Sequence, residues 1–74
     1  MLEQVKKVLA SALNIEVSGV SETTTLKEDL GIDSLAAVEL AMELESAFNV
    51  RIEDEELAAL KTVGDIVALL NQKQ

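Results

Sequence analysis

The sequence predicts a small all-α domain, a bundle of four helices, one of them short, with a long ordered loop between helices 1 and 2. Apolar residues recur at three- and four-residue spacing, which is the helical period. The stretch 34–48 consists almost wholly of helix-forming residues. A strand is conceivable at residues 15–17, but it has no evident partner. The pattern therefore favours a helical bundle over a mixed fold.

Length and composition limit the chain to one domain, residues 1–74. A hydrophobic fraction of 49% argues against disorder. A core this small supports a stability of about 3–5 kcal/mol. The chain has no cysteine, which fits a reducing compartment, and its N-terminus resembles neither a signal peptide nor a membrane span. We therefore expect a cytoplasmic monomer with no membrane insertion.

The first helix is predicted over residues 2–14, and a long connection follows over 15–33. The helix has one apolar face: Leu2, Val5, Val8, Leu9, Ala12 and Leu13. The connection carries apolar residues along its length, which indicates an ordered loop attached to the core rather than a free linker: Ile15, Val17, Val20, Leu26, Leu30 and Ile32.

The second helix is predicted from Ser34 to Phe48. Asp33 is placed to cap it by accepting from free backbone N–H groups one turn into the helix, and Asn49 is placed to end it. A short third helix is expected over 54–60, with acidic residues at its positive end.

The fourth helix is predicted to begin after a Thr62-x-x-Asp65 variant of the capping box. Gly64 should weaken this helix by roughly 1 kcal/mol relative to alanine. The apolar residues of the fourth helix are Val63, Ile66, Val67, Leu69 and Leu70.

The net charge of −8 is unevenly distributed, because residues 28–56 hold ten acids against Arg51 alone. Such a surface repels the phosphates of nucleic acids and anionic lipids. It attracts basic patches on other proteins, with association rates that fall as salt rises. We therefore expect protein partners and no nucleic acid partner.

Catalytic constellations are missing from the sequence. There is no histidine and no cysteine, so a serine nucleophile has no ordinary base. An EF-hand reading of residues 29–40 fails, because its third, sixth and twelfth positions are Gly31, Ser34 and Leu40. No phosphate-binding glycine loop is present. The sequence predicts neither an enzyme nor a metal site.

Ser34 is the residue that remains to be explained. On spacing alone it could be a second capping residue. Asp33, however, already fills that role, which leaves the Ser34 hydroxyl facing solvent in the first turn of a helix. A phosphoryl group on this oxygen would meet unpaired backbone N–H groups and the positive end of the helix dipole. We expect Leu35 to anchor the turn in the core and hold the serine outward.

The segment LKEDLGIDSLAAVEL, residues 26–40, resembles the signature of acyl carrier proteins, and the similarity extends over essentially the whole chain. The resemblance implies that Ser34, flanked by Asp33 and Leu35, carries 4'-phosphopantetheine donated from coenzyme A by a Mg-dependent holo-carrier synthase. The thiol of this arm would carry acyl chains as thioesters among the enzymes of fatty acid synthesis.

The same resemblance implies that acidic residues dock basic patches on the synthase and on the enzymes of fatty acid synthesis. The matching positions are Asp33, Glu39, Glu43, Glu45, Asp54 and Glu55. A core of small aliphatic residues could also open to admit an acyl chain. The candidate lining residues, which are equally well read as ordinary core, are Leu40, Met42, Leu44, Ile52, Leu57 and Ile66.

Two departures from the family pattern concern the pathway. Ala36 and Ala37 follow the Asp-Ser-Leu tripeptide where an acid is common, as in carriers of polyketide systems, and Glu53 stands where a proline is usual. A carrier of a polyketide or other specialised pathway therefore stays open as an alternative. The second alternative is an acidic helical interaction module without a prosthetic group.

Overall fold

The computed structural model describes residues 1–73 and confirms the predicted all-helical bundle. Gln74, the last residue of the predicted domain 1–74, lies outside the described residues. The helices are α1 (Leu2–Leu13), α2 (Ser34–Phe48), α3 (Asp54–Ala58) and α4 (Val63–Lys73). Helix α1 packs against both α2 and α4, while the short α3 contacts α2.

The core is built from aliphatic side chains on one face of each long helix. Leu9 of α1, Leu44 of α2 and Leu70 of α4 are completely buried. Burying a leucine side chain contributes about 1.5–3 kcal/mol, so these contacts hold the three helices together. Other fully buried side chains are Val5, Leu40, Val63 and Ile66.

Asparagines end the first two helices. Asn14 follows α1 with φ of 54°, and Asn49 follows α2 with φ of 55°. Asparagine tolerates this left-handed conformation better than most residues, so each stops the helix at a defined place. The predicted end of α2 is confirmed, whereas α1 ends one residue earlier than the expected range 2–14.

The loop 15–33 is ordered, as predicted, because it is attached to the core and to the start of α4. Val20, Leu26 and Ile32 are buried. The Leu26 N–H donates to the Lys61 carbonyl at 2.9 Å, and the N–H of Val63 donates to the carbonyl of Thr24 at 2.9 Å. These bonds flank an isolated antiparallel bridge between residues 25 and 62. The strand considered at residues 15–17 does not form.

Helix α3 ends at Ala58, so the expected range 54–60 was two residues too long. The backbone beyond it is bound elsewhere. The Leu60 N–H closes a tight turn onto the Leu57 carbonyl at 3.1 Å, and the Lys61 carbonyl accepts from the loop. The Asp65 carboxylate accepts from the Lys61 N–H at 2.9 Å. These turn, loop and cap bonds outweigh the helix-forming tendency of residues 59–60.

The Thr62–Asp65 capping box is confirmed in both directions. The Thr62 N–H donates to the Asp65 carboxylate at 3.1 Å, and the Asp65 N–H donates to Thr62 Oγ1 at 3.2 Å. This pair fixes the first turn of α4 against the loop. The Glu22 carbonyl of the loop also accepts from the Gly64 N–H at 2.8 Å.

Candidate functional site

Asp33 caps α2, as predicted. Its backbone is extended (φ −89°, ψ −174°), and its side chain accepts from the Ala36 N–H at 2.8 Å. The Asp33 carbonyl accepts the first backbone bond of the helix, from Ala37 at 2.8 Å. Gly31 lies two residues earlier with φ of 67°, a backbone conformation that few other residues adopt easily. The Gly-Ile-Asp sequence therefore turns the chain sharply into α2.

Ser34 is the first residue of α2 and is exposed. Within residues 1–73 its hydroxyl makes no hydrogen bond to another protein group. The capping role belongs to Asp33 alone, so the Ser34 oxygen is available to an external reactant. The N–H groups of the first helical turn have no intrahelical acceptors, and this end of the helix carries partial positive charge.

Leu35 does not anchor the turn in the core, and this expectation was wrong. Its side chain is 69% exposed. The reason is helical geometry: the inward face of α2 is set by Leu40, Ala41 and Leu44, and Leu35 lies on another side of the helix. Ser34 is held by the Asp33 cap and by Ile32, which is buried one residue before it.

A cavity of about 510 Å³ opens beside Ser34. Its apolar wall comes from the loop, α2 and the α3 region: Leu26, Ile32, Ala37, Leu40, Leu44, Leu57, Ala58 and Leu60. Polar residues at the same cavity are Thr25, Lys27, Glu28, Asp33 and Lys61. The site therefore combines an exposed hydroxyl with an adjoining apolar space.

The predicted acyl-chain residues divide into three groups. Leu40, Leu44 and Leu57 line this cavity. Ile52 and Ile66 are buried in the core and do not line it. Met42 is 63% exposed on the outer face of α2, so its assignment to an interior pocket was wrong. Met42 follows Leu40 by two residues, and two helical steps rotate a side chain away from the buried face.

Most of the predicted docking acids lie on the surface. Glu39 and Glu43 are exposed on α2, and Asp54 and Glu55 are exposed on α3. Glu45 differs, because it is half-buried and its carboxylate accepts from the Ile52 N–H at 2.8 Å. That bond supports the connection after α2, so Glu45 has a structural role in the fold.

An exposed apolar stripe on α2 was missed by the sequence analysis. It consists of Leu35, Val38 and Met42, which are 69%, 47% and 63% exposed. The spacing places all three on one side of the helix, next to Glu39 and Glu43. A signal was present in the sequence: α2 carries more apolar residues than one buried face can hold.

Two carboxyl groups have lowered pKa values, and both make hydrogen bonds that support the fold. The Glu53 N–H and the ammonium group of Lys73, 3.0 Å from Glu56 Oε1, hold the pKa of the Glu56 carboxyl below its ordinary value. Hydrogen bonds from the N–H groups of Lys61 and Thr62 lower the pKa of Asp65. Both carboxylates serve as caps at helix starts.

Comparisons with known proteins show the family of the chain. A family model described as a phosphopantetheine attachment site matches residues 3–70. An acyl carrier protein of Thermotoga maritima is 40% identical over 73 residues, which cover 99% of this chain and 90% of that protein.

Solved structures extend the comparison. The crystal structure of an acyl carrier protein from Thermotoga maritima superposes with a TM-score of 0.86 at 30% identity, covering 97% of this chain and 84% of that one. The apo doublet acyl carrier protein from prodigiosin biosynthesis superposes with a TM-score of 0.84 at 27% identity, covering 99% of this chain and 35% of that one.

The helical bundle and these comparisons together define a carrier domain. The chain belongs to the phosphopantetheine-attachment family of acyl carrier proteins. It is a carrier rather than an enzyme, and its cofactor is 4'-phosphopantetheine. Its partners are acyl chains and the enzymes that act on them. None of the helices in residues 1–73 combines the length and apolar character that crossing a membrane requires.

Proposed function

We propose that Ser34 is the attachment point of 4'-phosphopantetheine and that the chain carries acyl groups between enzymes of fatty acid synthesis. The observation that supports the site best is the exposed Ser34 hydroxyl, which has no partner within residues 1–73 while Asp33 fills the capping position. The attached arm supplies a thiol that holds acyl groups as thioesters.

Loading requires an outside catalyst, because the chain offers no histidine to activate the hydroxyl. The Ser34 oxygen forms a bond to the phosphorus on the pantetheine side of coenzyme A. The bond from that phosphorus to the bridging oxygen breaks, adenosine bisphosphate leaves, and the serine proton passes to the transferase. The residues of this chain contribute position: the Asp33 cap fixes the serine, and free N–H groups of the first turn favour an attached anion.

The outer face of α2 is the proposed docking surface for basic enzymes, including the holo-carrier synthase. Exposed Glu39 and Glu43 supply charge, and Asp33 adds charge next to the serine. The exposed stripe Leu35, Val38 and Met42 supplies apolar contact that charge alone does not give. Asp54 and Glu55 extend the acidic surface on α3. Glu45 is left out because its carboxylate is bound to Ile52.

The cavity beside Ser34 is the proposed place for the acyl chain. Leu40, Leu44 and Leu57 give it an apolar wall that removes methylene groups from water. A saturated medium-length chain should therefore raise the melting temperature of the holo protein. An unchanged or lower melting temperature after acylation would count against a buried chain.

The test of the attachment site compares two serines on the same helix. Wild-type protein, Ser34→Ala and Ser46→Ala are incubated with coenzyme A and a phosphopantetheinyl transferase, and intact mass is recorded. Ser46 is also exposed on α2 and serves as the matched control. We expect Ser34→Ala alone to gain no mass and to keep its helical circular dichroism. Loading of Ser34→Ala would contradict the assignment.

A carrier role in a specialised pathway is the second candidate. Ala36 and Ala37 after the Asp-Ser-Leu tripeptide favour it, and one structural neighbour is a carrier from prodigiosin biosynthesis. Offering the holo protein to fatty acid ketosynthases and to polyketide ketosynthases separates the two roles. Elongation by the fatty acid enzymes supports the first proposal, and exclusive use by the other set supports the second. The monomeric state and the cytoplasmic location stay predictions.

A further inference from the structure

Two lysines lie at the cavity beside Ser34, although the chain as a whole is strongly acidic. Lys27 and Lys61 both line it. The net charge is −8, with six cationic side chains in total. Two of those six cationic residues therefore line the same cavity as Ser34, where the proposed prosthetic group begins.

Backbone hydrogen bonds hold the segments that contain Lys27 and Lys61 together. The Leu26 N–H donates to the Lys61 carbonyl at 2.9 Å, so Lys27 follows a residue bonded directly to Lys61. The Leu26 carbonyl accepts from the Ile32 N–H at 2.9 Å, two residues before Ser34. Two hydrogen bonds thus join the lysine segments to the segment that leads into the serine.

The turn that carries Lys27 is itself held by a reciprocal pair of bonds. The Thr25 N–H donates to the Asp29 carboxylate at 2.8 Å, and the Asp29 N–H donates to Thr25 Oγ1 at 3.0 Å. The hydrogen bonds of this turn therefore fix the backbone of Lys27 beside the cavity.

Neither lysine forms an ion pair within residues 1–73, although Lys61 interacts electrostatically with Asp65. Three of the other four cations do form ion pairs there, Lys6 with Glu3, Arg51 with Glu53 and Lys73 with Glu56, whereas Lys7 forms none. The acids at the same cavity are Glu28 and Asp33, and neither forms an ion pair with a lysine there. The Asp33 carboxylate accepts from the Ala36 N–H instead.

We propose that Lys27 and Lys61 form an anion subsite for the phosphodiester that joins the arm to Ser34. This inference rests on the proposed attachment at Ser34. Two ammonium groups beside the phosphodiester offset the repulsion from Asp33 and draw the start of the arm toward the cavity. The subsite thereby favours the folded-in arm, in which an acyl chain enters the apolar space, over the arm extended into solvent.

The test uses the holo protein and three double variants, two of which have the same net charge. Lys27→Gln with Lys61→Gln removes the subsite. Lys7→Gln with Arg51→Gln removes the same charge elsewhere, and both control residues are exposed. Lys27→Arg with Lys61→Arg keeps the cations. Intact mass first establishes one arm on Ser34 in every protein, since absence of loading in the wild type would defeat the proposed function itself.

Phosphorus NMR then reports on the phosphodiester directly. We expect its resonance to move with rising salt in the wild type, the arginine variant and the charge control, because salt screens the contact. The glutamine variant at the cavity should show a different resonance and little salt response. The proposed subsite would be overturned if the glutamine variant at the cavity kept the wild-type resonance, or if the charge control showed the same change as that variant.

Acyl protection gives a second readout. An exposed lysine–phosphate contact is worth up to about 1 kcal/mol, so we expect hydroxylamine to cleave an octanoyl thioester about two- to fivefold faster in the glutamine variant. A dicarboxylic acyl load serves as the comparison. An effect confined to that load would assign the lysines to the acyl carboxylate and overturn the phosphodiester proposal. If only the variant Lys27→Gln with Lys61→Gln failed to load, the two lysines would be assigned to recognition by the transferase. That result would also overturn the phosphodiester proposal.

Discussion

Helix α2 carries large apolar side chains on two faces, one buried in the core and the other exposed to solvent. On the inner face, Leu40 and Leu44 are essentially inaccessible to solvent, whereas Leu35 and Met42 on the outer face are mostly exposed. The inner face holds α2 to the rest of the bundle. The outer face contributes little to folding and leaves apolar groups beside Glu39 and Glu43, where another protein can use them. Apolar composition alone therefore does not say whether a residue serves stability or recognition.

The largest difference between the faces should appear in stability. Leu44→Ala should lower the free energy of unfolding by about 3 kcal/mol, because it leaves a cavity in the core. That loss is comparable with the whole stability expected for a domain of this size, about 3–5 kcal/mol. Leu35→Ala should change it by less than about 0.5 kcal/mol. Urea unfolding measures both variants, and equal losses would abolish the distinction between the faces.

Binding should show the reverse order. Leu35→Ala should weaken binding of a phosphopantetheinyl transferase by about tenfold, which corresponds to about 1.4 kcal/mol for a central apolar contact. Fluorescence titration gives the affinity.

The charges of the outer face should act on the association rate. Glu39→Gln with Glu43→Gln should slow association and flatten its salt dependence. Glu3→Gln with Glu22→Gln removes equal charge from exposed positions elsewhere and serves as the control. Identical salt dependence in both double variants would mean that net charge, rather than this face, guides docking.

Packing of the loop against α4 can be tested at Gly64. At this position helix propensity favours alanine, whereas close packing opposes it. A Cβ atom at this position would lie 2.9 Å from the Glu22 carbonyl oxygen. Overpacking costs about 1–3 kcal/mol, while alanine gains about 1 kcal/mol in helix propensity. Gly64→Ala should therefore destabilise the protein by about 1 kcal/mol. Thermal unfolding that shows stabilisation would mean that the loop yields easily.

The smallest effect concerns pH and the cap of α4. The pKa of Asp65 is lowered in the folded state, so its contribution to stability is complete above its ordinary pKa and is lost as pH falls through the lowered value. The wild type should exceed Asp65→Asn in melting temperature near neutral pH, and the gap should close in acid. A gap that stays constant down to low pH would show that the carboxylate charge contributes nothing.

Local signals made much of this fold predictable from the sequence. The Asp33 cap, the Asn49 stop and the Thr62–Asp65 box each depend on residues a few positions apart. The exposure of Leu35 and Met42 could not be predicted in the same way. Helix α2 is apolar around most of its circumference, so periodicity does not identify its buried face.

Tertiary pairing explains the remaining differences. Helix α3 stops early because the Lys61 carbonyl is bonded to Leu26, thirty-five positions away in the chain. The close approach of the loop to Gly64 has the same origin. The placement of Lys27 and Lys61 at one cavity also follows from this pairing, which no local pattern indicates. Contacts between distant segments thus account for these remaining differences.

The proposed carrier role depends on attachment of the arm to the Ser34 oxygen. The most direct measurement is peptide mapping by tandem mass spectrometry of the wild-type protein after complete reaction with coenzyme A and an active transferase. We expect a single phosphopantetheine on the peptide that contains Ser34, with the fragment ions assigning it to that residue. A modified residue other than Ser34, or an unmodified protein after the transferase has loaded a control carrier, would contradict it.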